Sequence, residues 1–548
     1  MGARGRRFKS GHPDQCANHG IVLNATHCHA SRQSIGTPVP KKSSVLELST
    51  VILIVLGVLC WVSLALCTQS FGQGPFKATI LYINDPHAHY LPYQAKNQPG
   101  LIGGFARAAT LIRRISSENQ AQGRETLVLL AGDLLTGTPF SMVWKGEVGV
   151  RLLDRMALTA MTVGNHEFDH GTQNVVRHLK PLMNFPLLSA NIIDERGERL
   201  FDASLVKDYA SSNTRVFIFG LTTVDTPITT HPGNVVGLRF LDPIKTAKEL
   251  LSQSRKGNLV VALTHLGVEE DKRLAASCPR INVIVGGHSH TALFQPLRVG
   301  DTLIVQAGAY TQYLGRLDLE FSDGRIEKYS GELIPLTEGT PGDPEISAIV
   351  DEYKAKLDAR FSEVIGRTDI FLDGTRSSVR SDRPSNLAKF VVYTMAKAVN
   401  AQAALLNGGA IRSSIFEGDI TLTDVYTAFP FSDRIVKMDL KGKDLLAVLQ
   451  RSLDLPDGRG GKLQTFGVSY EIVNGQTSIT KVGDAEFRPE DTYSIATNDF
   501  LAEGGDGYDL LKERGSHVYA SSTLITDPLI ELIREKRVID ATVIKRLN

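Results

Sequence analysis

The chain has 548 residues, of which 42% are hydrophobic, and its 60 lysine and arginine residues are balanced by 59 aspartate and glutamate residues. This length and apolar content predict a folded protein with two domains beyond its N-terminal segment. The balance of charge argues against a surface that coats DNA or RNA, so any attraction for phosphate has to be local.

The N-terminal segment differs in composition from the rest of the chain. Residues 1–43 are rich in Gly, Ser, His, Arg and Pro without apolar periodicity, which predicts a disordered basic cytoplasmic tail or sequence upstream of the true start. Residues 51–67 form an almost uninterrupted apolar run with basic residues upstream, so segment 44–74 is predicted to be either a cleaved signal peptide or an N-terminal membrane anchor. Because the positive flank stays inside, we expect the remaining chain to be extracytoplasmic, in the periplasm or at the cell surface, either secreted or membrane-anchored.

Five apolar runs between residues 78 and 287 each end beside residues that bind metals. Such runs are typical of buried strands, whose ends are where an α/β scaffold presents its chemistry. A single such residue would be more typical of a helix cap or a hydrogen-bonded histidine, but recurrence at five strand ends favours a metal site. The residues at these ends are Asp85, His87, Asp133, Asn165, His166, His265, His288 and His290.

The remaining pattern predicts an α/β protein in two parts. Strand-like runs from residue 78 to about 321 alternate with helix-like stretches at 103–115 and 244–254, giving a first domain at 75–337. A Gly- and Pro-rich stretch at 337–344 precedes apolar residues at helical spacing over 346–357, which predicts a linker and hinge helix within 338–365. A second α/β domain is predicted over 366–548, with strands near 403–406, 435–440 and 493–497.

The strand ends resemble the metal motifs of calcineurin-like metallophosphoesterases. More narrowly, the chain resembles the 5'-nucleotidase and UDP-sugar hydrolase family from about residue 78 to its C-terminus. The resemblance implies a metallophosphoesterase sandwich of two mixed β-sheets flanked by helices, followed by an α/β nucleotide-binding domain. The matching stretches are Asn84-Asp85-Pro86-His87, Gly132-Asp133, Gly164-Asn165-His166-Glu167-Phe168-Asp169, Thr264-His265 and Gly286-Gly287-His288-Ser289-His290.

This resemblance also implies how the metal site is divided. Asp133 would bridge two divalent ions, one held by Asp85, His87 and His290 and the other held by Asn165, His265 and His288. Imidazole ligands favour zinc, manganese, cobalt or iron over magnesium or calcium. The family pattern makes His166, oriented by Asp169, the catalytic pair that stabilises the transition state and assists the leaving group.

The second domain resembles the family's nucleoside site. Two phenylalanines would stack on the base, Asp506 would bind the ribose hydroxyls, and arginines would contact the phosphate. Asp433 stands where several relatives have Asn, which predicts an altered base preference. The predicted substrate-binding residues are Arg376, Arg380, Arg383, Asn407, Gly409, Arg412, Phe431, Asp433, Phe500 and Asp506.

The sequence therefore predicts an exported dinuclear-metal phosphohydrolase that acts on nucleoside 5'-monophosphates, with UDP-sugars and dinucleotide pyrophosphates as further candidate substrates. Its expected partners are the nucleotide and, if the N-terminal segment is not cleaved, the membrane; nothing indicates a DNA, RNA or protein partner. One alternative is a 2',3'-cyclic-nucleotide phosphodiesterase of the same superfamily. Another is a catalytically silent nucleotide-binding surface protein.

Overall fold

The computed structural model describes residues 74–96 and 98–547, with Ser211 described by its backbone alone. The predicted cytoplasmic tail, 1–43, and all but the last residue of the predicted signal or anchor segment, 44–74, lie outside the described residues. Within the described ranges no helix combines the length and the apolar character needed to cross a bilayer.

Residues 75–337, which we call the first region, are built on two six-stranded mixed sheets. One sheet has the strand order β16-β15-β1-β4-β5-β6 and the other has the order β13-β14-β12-β11-β9-β8. Two further sheets have two strands each, β2 with β3 and β7 with β10. The strands of the first region are β1 (Phe76–Ile83), β2 (Tyr93–Gln94), β3 (Leu101–Ile102), β4 (Glu125–Leu130), β5 (Ala160–Thr162), β6 (Leu187–Leu188), β7 (Ile192–Ile193), β8 (Ser204–Tyr209), β9 (Thr214–Thr222), β10 (Arg239–Phe240), β11 (Leu259–His265), β12 (Val283–Val285), β13 (Leu297–Val299), β14 (Thr302–Val305), β15 (Tyr313–Ser322) and β16 (Arg325–Pro335).

The central strand β11 is buried along its whole length because both of its faces are covered. In β11, Leu259, Val261 and Leu263 belong to a core shared by the two sheets, whereas the alternate residues Val260 and Ala262 pack under helices on the outside. Successive side chains of a strand point to opposite faces, so a strand buried on both sides needs an unbroken apolar run. The predicted fold class, two mixed sheets flanked by helices, is confirmed.

Helices cover the outer faces of the sheets. The helix predicted from residue 103 begins at Phe105, because Gly103 and Gly104 have φ angles of 78° and 98°, which are not helical. The helix predicted over 244–254 lies one residue earlier, where the Asp242 side chain caps it by accepting from the N–H of Lys245. The helices of the first region are Phe105–Ala121, Pro139–Trp144, Glu147–Arg155, Thr226–Thr229, Pro243–Gln253 and Val268–Ser277.

A long helix, Pro344–Phe361, connects the first region to the rest of the chain. Its start is fixed by Pro344 and by the Asp343 side chain, which accepts hydrogen bonds from the N–H groups of Glu345 and Ile346. Its apolar face, including Ile346, packs into the helix-covered core of the first region. The helix thus occupies the predicted 346–357 segment; its use as a hinge stays a prediction.

Residues 364–547, which we call the second region, contain a five-stranded sheet of order β21-β18-β25-β20-β26 and two three-stranded sheets. The described parts of both regions belong to one compact unit. The strands are β17 (Val364–Thr368), β18 (Ala403–Asn407), β19 (Gly418–Thr421), β20 (Arg434–Lys441), β21 (Leu463–Phe466), β22 (Val468–Val473), β23 (Gln476–Val482), β24 (Ala485–Glu486), β25 (Thr492–Asn498), β26 (Ser516–Leu524) and β27 (Val538–Ile539). The helices are Arg376–Val379, Asn386–Ala398, Leu422–Ala428, Gly442–Asp454, Asp499–Ala502, Asp509–Arg514, Thr526–Lys536 and Ala541–Arg546.

Leu263 tests the contribution of the core between the two sheets. Its side chain is 0% exposed, so Leu263→Ala removes buried methyl groups and leaves a cavity. We expect the free energy of unfolding in urea to fall by about 2–5 kcal/mol. Leu182, which is 45% exposed, provides the control. Leu182→Ala should change the free energy of unfolding by less than about 0.5 kcal/mol. Equal effects of the two substitutions would contradict this account of the core.

Candidate active site

The parallel strands of the two sheets end at one edge, and the predicted metal ligands meet there. Strands β1, β4 and β5 run parallel in one sheet, and β9, β11 and β12 run parallel in the other. The loops after β1 and β4 are joined by hydrogen bonds from Asp85 N to Gly132 O at 3.1 Å and from His87 N to Asp133 O at 3.0 Å. Residues far apart in the sequence therefore form one buried cluster.

Ligand-type atoms in this cluster fall into overlapping groups that could hold metal ions. Asp85, His87 and His290 form one group, and Asp133, His265 and His288 form a second. His87, Asp133 and His166 form a third group, which shares one residue with each of the others, and within each group the atoms lie within 4.8 Å of one another. Asn165 belongs to the second group by position, since its Oδ1 lies 3.2 Å from His265 Nε2 and 3.0 Å from His288 Nδ1. The structure thus brings together all seven predicted ligands.

The imidazoles are oriented as metal ligands require. The Nδ1 of His87 lies 2.8 Å from the carbonyl oxygen of Thr136, and the Nδ1 of His265 lies 2.7 Å from that of Ala131. A carbonyl only accepts, so these Nδ1 atoms carry the proton and both Nε2 atoms face the cluster. Burial lowers the pKa of His265, but the carboxylates of Asp133 and Asp85 outweigh it and raise this pKa to about 10. His265 Nε2, 3.1 Å from Asp133 Oδ2, therefore carries a proton that a metal ion would replace. His87 Nε2 lies only 3.0 Å from His290 Nε2, a convergence of nitrogen atoms that suits a shared cation.

Burial sets the charge of several of these groups. Burial lowers the pKa of His87 and His290 well below the ordinary value, with help from Arg412 and Arg376 respectively, and lowers that of His288 to about 3. These imidazoles are therefore neutral and free to coordinate. Burial also raises the pKa of Asp85 to about 7, because nothing nearby fully compensates its charge. A divalent cation would supply that compensation, so the donor set fits the metals that the sequence predicts.

The backbone is strained where the ligands lie. Five of the seven predicted ligands have positive φ angles: Asp85 at 48°, His87 at 47°, Asp133 at 56°, His288 at 76° and His290 at 58°. Left-handed backbone costs free energy for residues with a side chain and persists only where the surroundings enforce it. This concentration of strain indicates that the turns are shaped for the site.

His166 and Asp169 form the pair that the sequence predicts. His166 Nδ1 lies 2.6 Å from Asp169 Oδ2, while Thr230 Oγ1 donates to the other oxygen of Asp169 at 2.8 Å. Burial disfavours a charge on His166, but the carboxylates of Asp169 and Asp133 outweigh it and raise its pKa. The imidazole lines the cavity, and its Nε2 has no hydrogen-bond partner among residues 74–96 and 98–547.

Glu167 holds the turns around Asp133 together. Its carboxylate accepts hydrogen bonds from the N–H groups of Asp133 at 2.9 Å, Leu134 at 2.8 Å and Gly164 at 2.6 Å. The side chain is fully buried, so these bonds replace its lost hydration. Glu167 thus fixes the loop after β4 to the loop after β5, and it acts through Asp133 without facing the cavity.

A cavity of about 670 Å³ connects this cluster to the second region. Asp85, His87 and His265 lie beneath its wall and are 0% exposed. Arg383 is exposed and is not part of the lining, so the predicted phosphate contact of Arg383 is not seen; the chain turns outward at this point, where Asp382 pairs with Lys462. The other predicted residues line the cavity: Asp133, Asn165, His166, Asp169, His288, His290, Arg376, Arg380, Asn407, Gly409, Arg412, Phe431, Asp433, Phe500 and Asp506.

Arginines of the second region approach the metal cluster. Arg412 Nη2 lies 3.1 Å from His87 Nε2, and the Arg412 guanidinium lies 5.9 Å from the centre of the Phe431 ring. The Nε atoms of Arg380 and Arg412 are buried without a hydrogen-bond partner among the described residues. Guanidinium N–H groups that lack a partner beside the predicted metal site are suited to a phosphate, whose oxygen atoms accept several hydrogen bonds.

Further from the metals, a chain of hydrogen bonds connects two carboxylates of the cavity. Asn407 Nδ2 donates to Asp506 Oδ2 at 2.9 Å, and Asn498 Nδ2 donates to Asn407 Oδ1 at 3.2 Å and to Asp433 Oδ2 at 2.7 Å. Phe431 and Phe500 line the cavity beside this chain, and no direct contact between their rings is found in the described part of the protein. The two rings are therefore separate parts of one cavity wall.

One cavity wall was missed by the sequence analysis. Residues 457–461, Asp-Gly-Arg-Gly-Gly, line the cavity and are held by Gly409 N, which donates to Gly460 O at 2.8 Å. The next residue, Lys462, is only 2% exposed and its Nζ lies 2.6 Å from Asp382 Oδ1. Arg459 reaches the first region, where it lies 3.6 Å from Asp225. The run of three glycines around one arginine was the available signal, since it permits close approach of two loops.

Comparison with known proteins gives a consistent result. The chain matches the family described as calcineurin-like phosphoesterase over residues 78–292 and the family described as 5'-nucleotidase, C-terminal domain, over residues 364–513. It is 31% identical over 493 residues to a 5'-nucleotidase of Vibrio vulnificus, covering 81% of this chain and 88% of that protein. It is 30% identical over 496 residues to the trifunctional nucleotide phosphoesterase protein YfkN of Bacillus subtilis, covering 80% of this chain but spanning only 33% of that longer protein. The crystal structure of a 5'-nucleotidase precursor from Thermus thermophilus is similar, with a TM-score of 0.76, 31% sequence identity, and coverage of 85% of this chain and 97% of that one.

The substitution Glu167→Gln tests how the Asp133 turn is held. A glutamine amide keeps one accepting oxygen but presents an NH₂ group to a backbone N–H, so at least one buried hydrogen bond is lost. We expect the free energy of unfolding to fall by about 1–3 kcal/mol and metal affinity, measured by calorimetry, to fall about 10- to 100-fold. Glu118→Gln on an exposed helix, where Glu118 has only a 3.8 Å ion pair with Arg114, should change neither quantity. Wild-type metal affinity in Glu167→Gln would contradict the role given to Glu167.

Proposed function

Because this chain belongs to the 5'-nucleotidase family, we propose that it releases inorganic phosphate from nucleoside 5'-monophosphates at the cavity between its two regions. That it is a hydrolase of nucleotide phosphoesters follows from the family itself. The observation that carries the finer proposal is that one cavity joins the metal-ligand cluster of the first region to Phe431 and Phe500 of the second region. Each region supplies only half of such a site.

The residues that would hold the metals are those gathered at the strand ends. Asp85, His87 and His290 would hold one ion, Asn165, His265 and His288 the other, and Asp133 would contact both. Two divalent ions bound there would lower the pKa of a bound water and neutralise charge on the phosphoryl oxygens. The nitrogen-rich donor set supports zinc, manganese, cobalt or iron over magnesium or calcium.

The protein's own groups would then position the phosphate and assist the departure of the nucleoside. Arg376, Arg380 and Arg412 would neutralise and orient the phosphate, since their guanidinium groups face the same part of the cavity. His166, kept protonated by Asp169, would donate from Nε2 to a phosphoryl oxygen or to the leaving oxygen. Both contributions grow as negative charge develops on the oxygen atoms in the transition state.

The nucleoside would be held by the second region. Stacking on Phe431 and Phe500 would contribute roughly 1–3 kcal/mol for each ring. Asp506 would accept hydrogen bonds from the ribose hydroxyls, because Asn407 holds its carboxylate in place at 2.9 Å. Gly409, which also lines the cavity, would keep this arrangement open, because a Cβ there would lie 3.1 Å from Asn407 Nδ2 and 3.3 Å from Gly460 Cα.

We also propose that the enzyme acts outside the cytoplasm. This proposal rests on the apolar run at residues 51–67 and the basic residues upstream of it. Cleavage of this run would give a secreted protein, whereas its retention would give a membrane-anchored protein.

Hydrolysis of nucleotide pyrophosphates, including UDP-sugars, is the second candidate activity. It is supported by Arg451 and Arg459, which line the cavity in addition to the three arginines assigned to the phosphate. Their guanidinium groups would offer a second phosphoryl group a cationic surface. A UDP-sugar included in the assay below, with a coupling phosphatase, would separate this activity from monoester hydrolysis.

The proposed function predicts that AMP is a much better substrate than p-nitrophenyl phosphate. After chelation and addition of manganese, zinc, cobalt or magnesium, phosphate release from AMP should depend on the added metal. Phe431→Ala and Phe500→Ala should each raise KM for AMP about 5- to 150-fold, which corresponds to the loss of one stacking contact. Neither substitution should change KM for p-nitrophenyl phosphate, because this substrate has no nucleobase.

Phe294→Ala is the matched control for these variants, because Phe294 is 57% exposed and lies outside the cavity lining. This substitution should leave the hydrolysis of AMP and of p-nitrophenyl phosphate unchanged. If Phe431→Ala and Phe500→Ala reduce activity on both substrates equally, stacking of the base on these two rings, the nucleoside clamp, is removed from the proposal. Absence of metal-dependent turnover of any nucleotide would overturn the proposed function in favour of a silent nucleotide-binding protein.

The role of His166 predicts a defect in turnover alone. His166→Asn should lower kcat on AMP by about 10²- to 10⁴-fold, as expected for loss of general acid assistance. Metal content, measured by mass spectrometry of the native protein, should stay at the wild-type value because His166 is not a proposed ligand. His178→Asn, which changes a half-exposed histidine paired with Glu147 at 3.8 Å, should keep full activity. Loss of metal in His166→Asn would show that it is a ligand instead.

A further inference from the structure

The carboxylate of Asp433 is unusual among the groups that line the cavity. It follows Phe431 by two residues, immediately before β20, and its carbonyl oxygen accepts from Ile525 N at 3.0 Å, which fixes its backbone. Within the described residues no lysine, arginine or histidine forms an ion pair with it. The cavity thus contains a carboxylate without a cationic partner beside a predicted base-stacking ring.

The hydrogen bonds around Asp433 fix one of its two oxygens and leave the other available. Asn498 Nδ2 donates to Asp433 Oδ2 at 2.7 Å, and Asn498 Oδ1 is occupied because it accepts from Leu501 N at 3.2 Å. This second bond fixes the orientation of the Asn498 amide, so that its NH₂ group faces Asp433. Oδ1 of Asp433 has no hydrogen-bond partner in the described part of the chain.

An ionised carboxylate can only accept hydrogen bonds, whereas an asparagine amide at the same place could either donate or accept. An exocyclic amino group of a base would present an N–H to the free oxygen. An oxo group in the same position would present lone pairs, which a carboxylate repels. Sites that pair a buried polar group with one substrate reject analogues that leave that group unpaired.

We propose that Asp433 makes this enzyme selective for nucleotides whose base carries an exocyclic amino group, so that AMP is preferred over IMP and CMP over UMP. The inference rests on the proposed function for the location of the base. It goes further by naming the group that discriminates between bases and the chemical feature it recognises. A base with the amino group gains a charge-assisted hydrogen bond that the corresponding oxo base cannot make. The amino nucleotide should therefore be preferred by about tenfold to 100-fold.

The assay has to be run where Asp433 is ionised. Burial, together with the neighbouring carboxylate of Asp499 and the more distant one of Asp169, raises the pKa of Asp433 to about 7. At pH 8.5 the carboxylate form predominates. Protein groups that titrate near this pH act on both members of a substrate pair and cancel in their ratio. The hypoxanthine and uracil N–H groups begin to ionise at this pH, so each measured constant is corrected to the neutral nucleoside.

Binding of nucleosides to the full-length, metal-loaded protein tests the inference without requiring hydrolysis. Dissociation constants of adenosine, inosine, cytidine and uridine are measured by calorimetry at pH 8.5. We expect adenosine to bind about tenfold to 100-fold more tightly than inosine, and cytidine to bind more tightly than uridine by a similar factor. In Asp433→Asn both ratios should fall to within about threefold of unity. Asp433→Ser, which removes the carboxylate with a smaller side chain, should have the same effect if the asparagine variant folds poorly.

The control is Asp439→Asn, which removes a carboxylate from β20 that pairs with His517 at 3.0 Å on the surface. It should keep the wild-type ratios. Equal affinities for the paired nucleosides in the wild-type protein, or unchanged ratios in both Asp433 variants, would overturn the inference. If adenosine binds selectively but AMP yields no phosphate, the proposed function fails while the inference about Asp433 stands. If no nucleoside binds at all, the inference is overturned together with the nucleoside clamp.

Discussion

The site depends on the buried charge of Asp133. Its carboxylate accepts from His166 N at 2.9 Å and lies 3.1 Å from His265 Nε2, while its own backbone N–H donates to Glu167. Burial alone would raise the pKa of this carboxyl, but the imidazoles of His265 and His166 hold its pKa well below the ordinary value. A buried charge is tolerated only when partners surround it. The turns after β4 and β5 and the end of β11 are therefore arranged around one side chain.

The two regions contribute different chemistry to the same cavity. The first region gathers nitrogen and oxygen ligands on rigid strand ends, where their positions are set by sheets covered on both faces. The second region supplies arginines, two phenylalanines and the hydrogen-bonded chain from Asp506 to Asp433. Arg412 joins these two sets, because its guanidinium lies beside both His87 and Phe431. A substrate would have to carry both a phosphate and a planar group to use the whole cavity, which favours a nucleotide over a simple ester.

The amino-acid sequence predicted the site residues of the first region well and those of the second region less completely. Strand ends and helices follow from local periodicity and capping, so the amino-acid sequence alone was enough to group Asp85, His87, Asp133, Asn165, His265, His288 and His290. Arg383 shows where this reasoning stops: arginines in one short segment look equivalent in sequence, yet the turn at Asp382 directs Arg383 outward while Arg376 and Arg380 line the cavity. The wall at residues 457–461 was overlooked because glycine-rich loops carry little signal by themselves.

By itself the sequence determined the alternation of strands and helices, the chemistry at the strand ends and the family to which the chain belongs. Each of these depends on residues close together along the chain, whose spacing is set by the periods of strands and helices. Only the tertiary structure decided that Arg412 meets His87, 325 residues away, and that Asp433 keeps one oxygen free. Contacts of that kind depend on how two separately formed regions pack and on which hydrogen bonds each side chain has already made, and no local pattern encodes either.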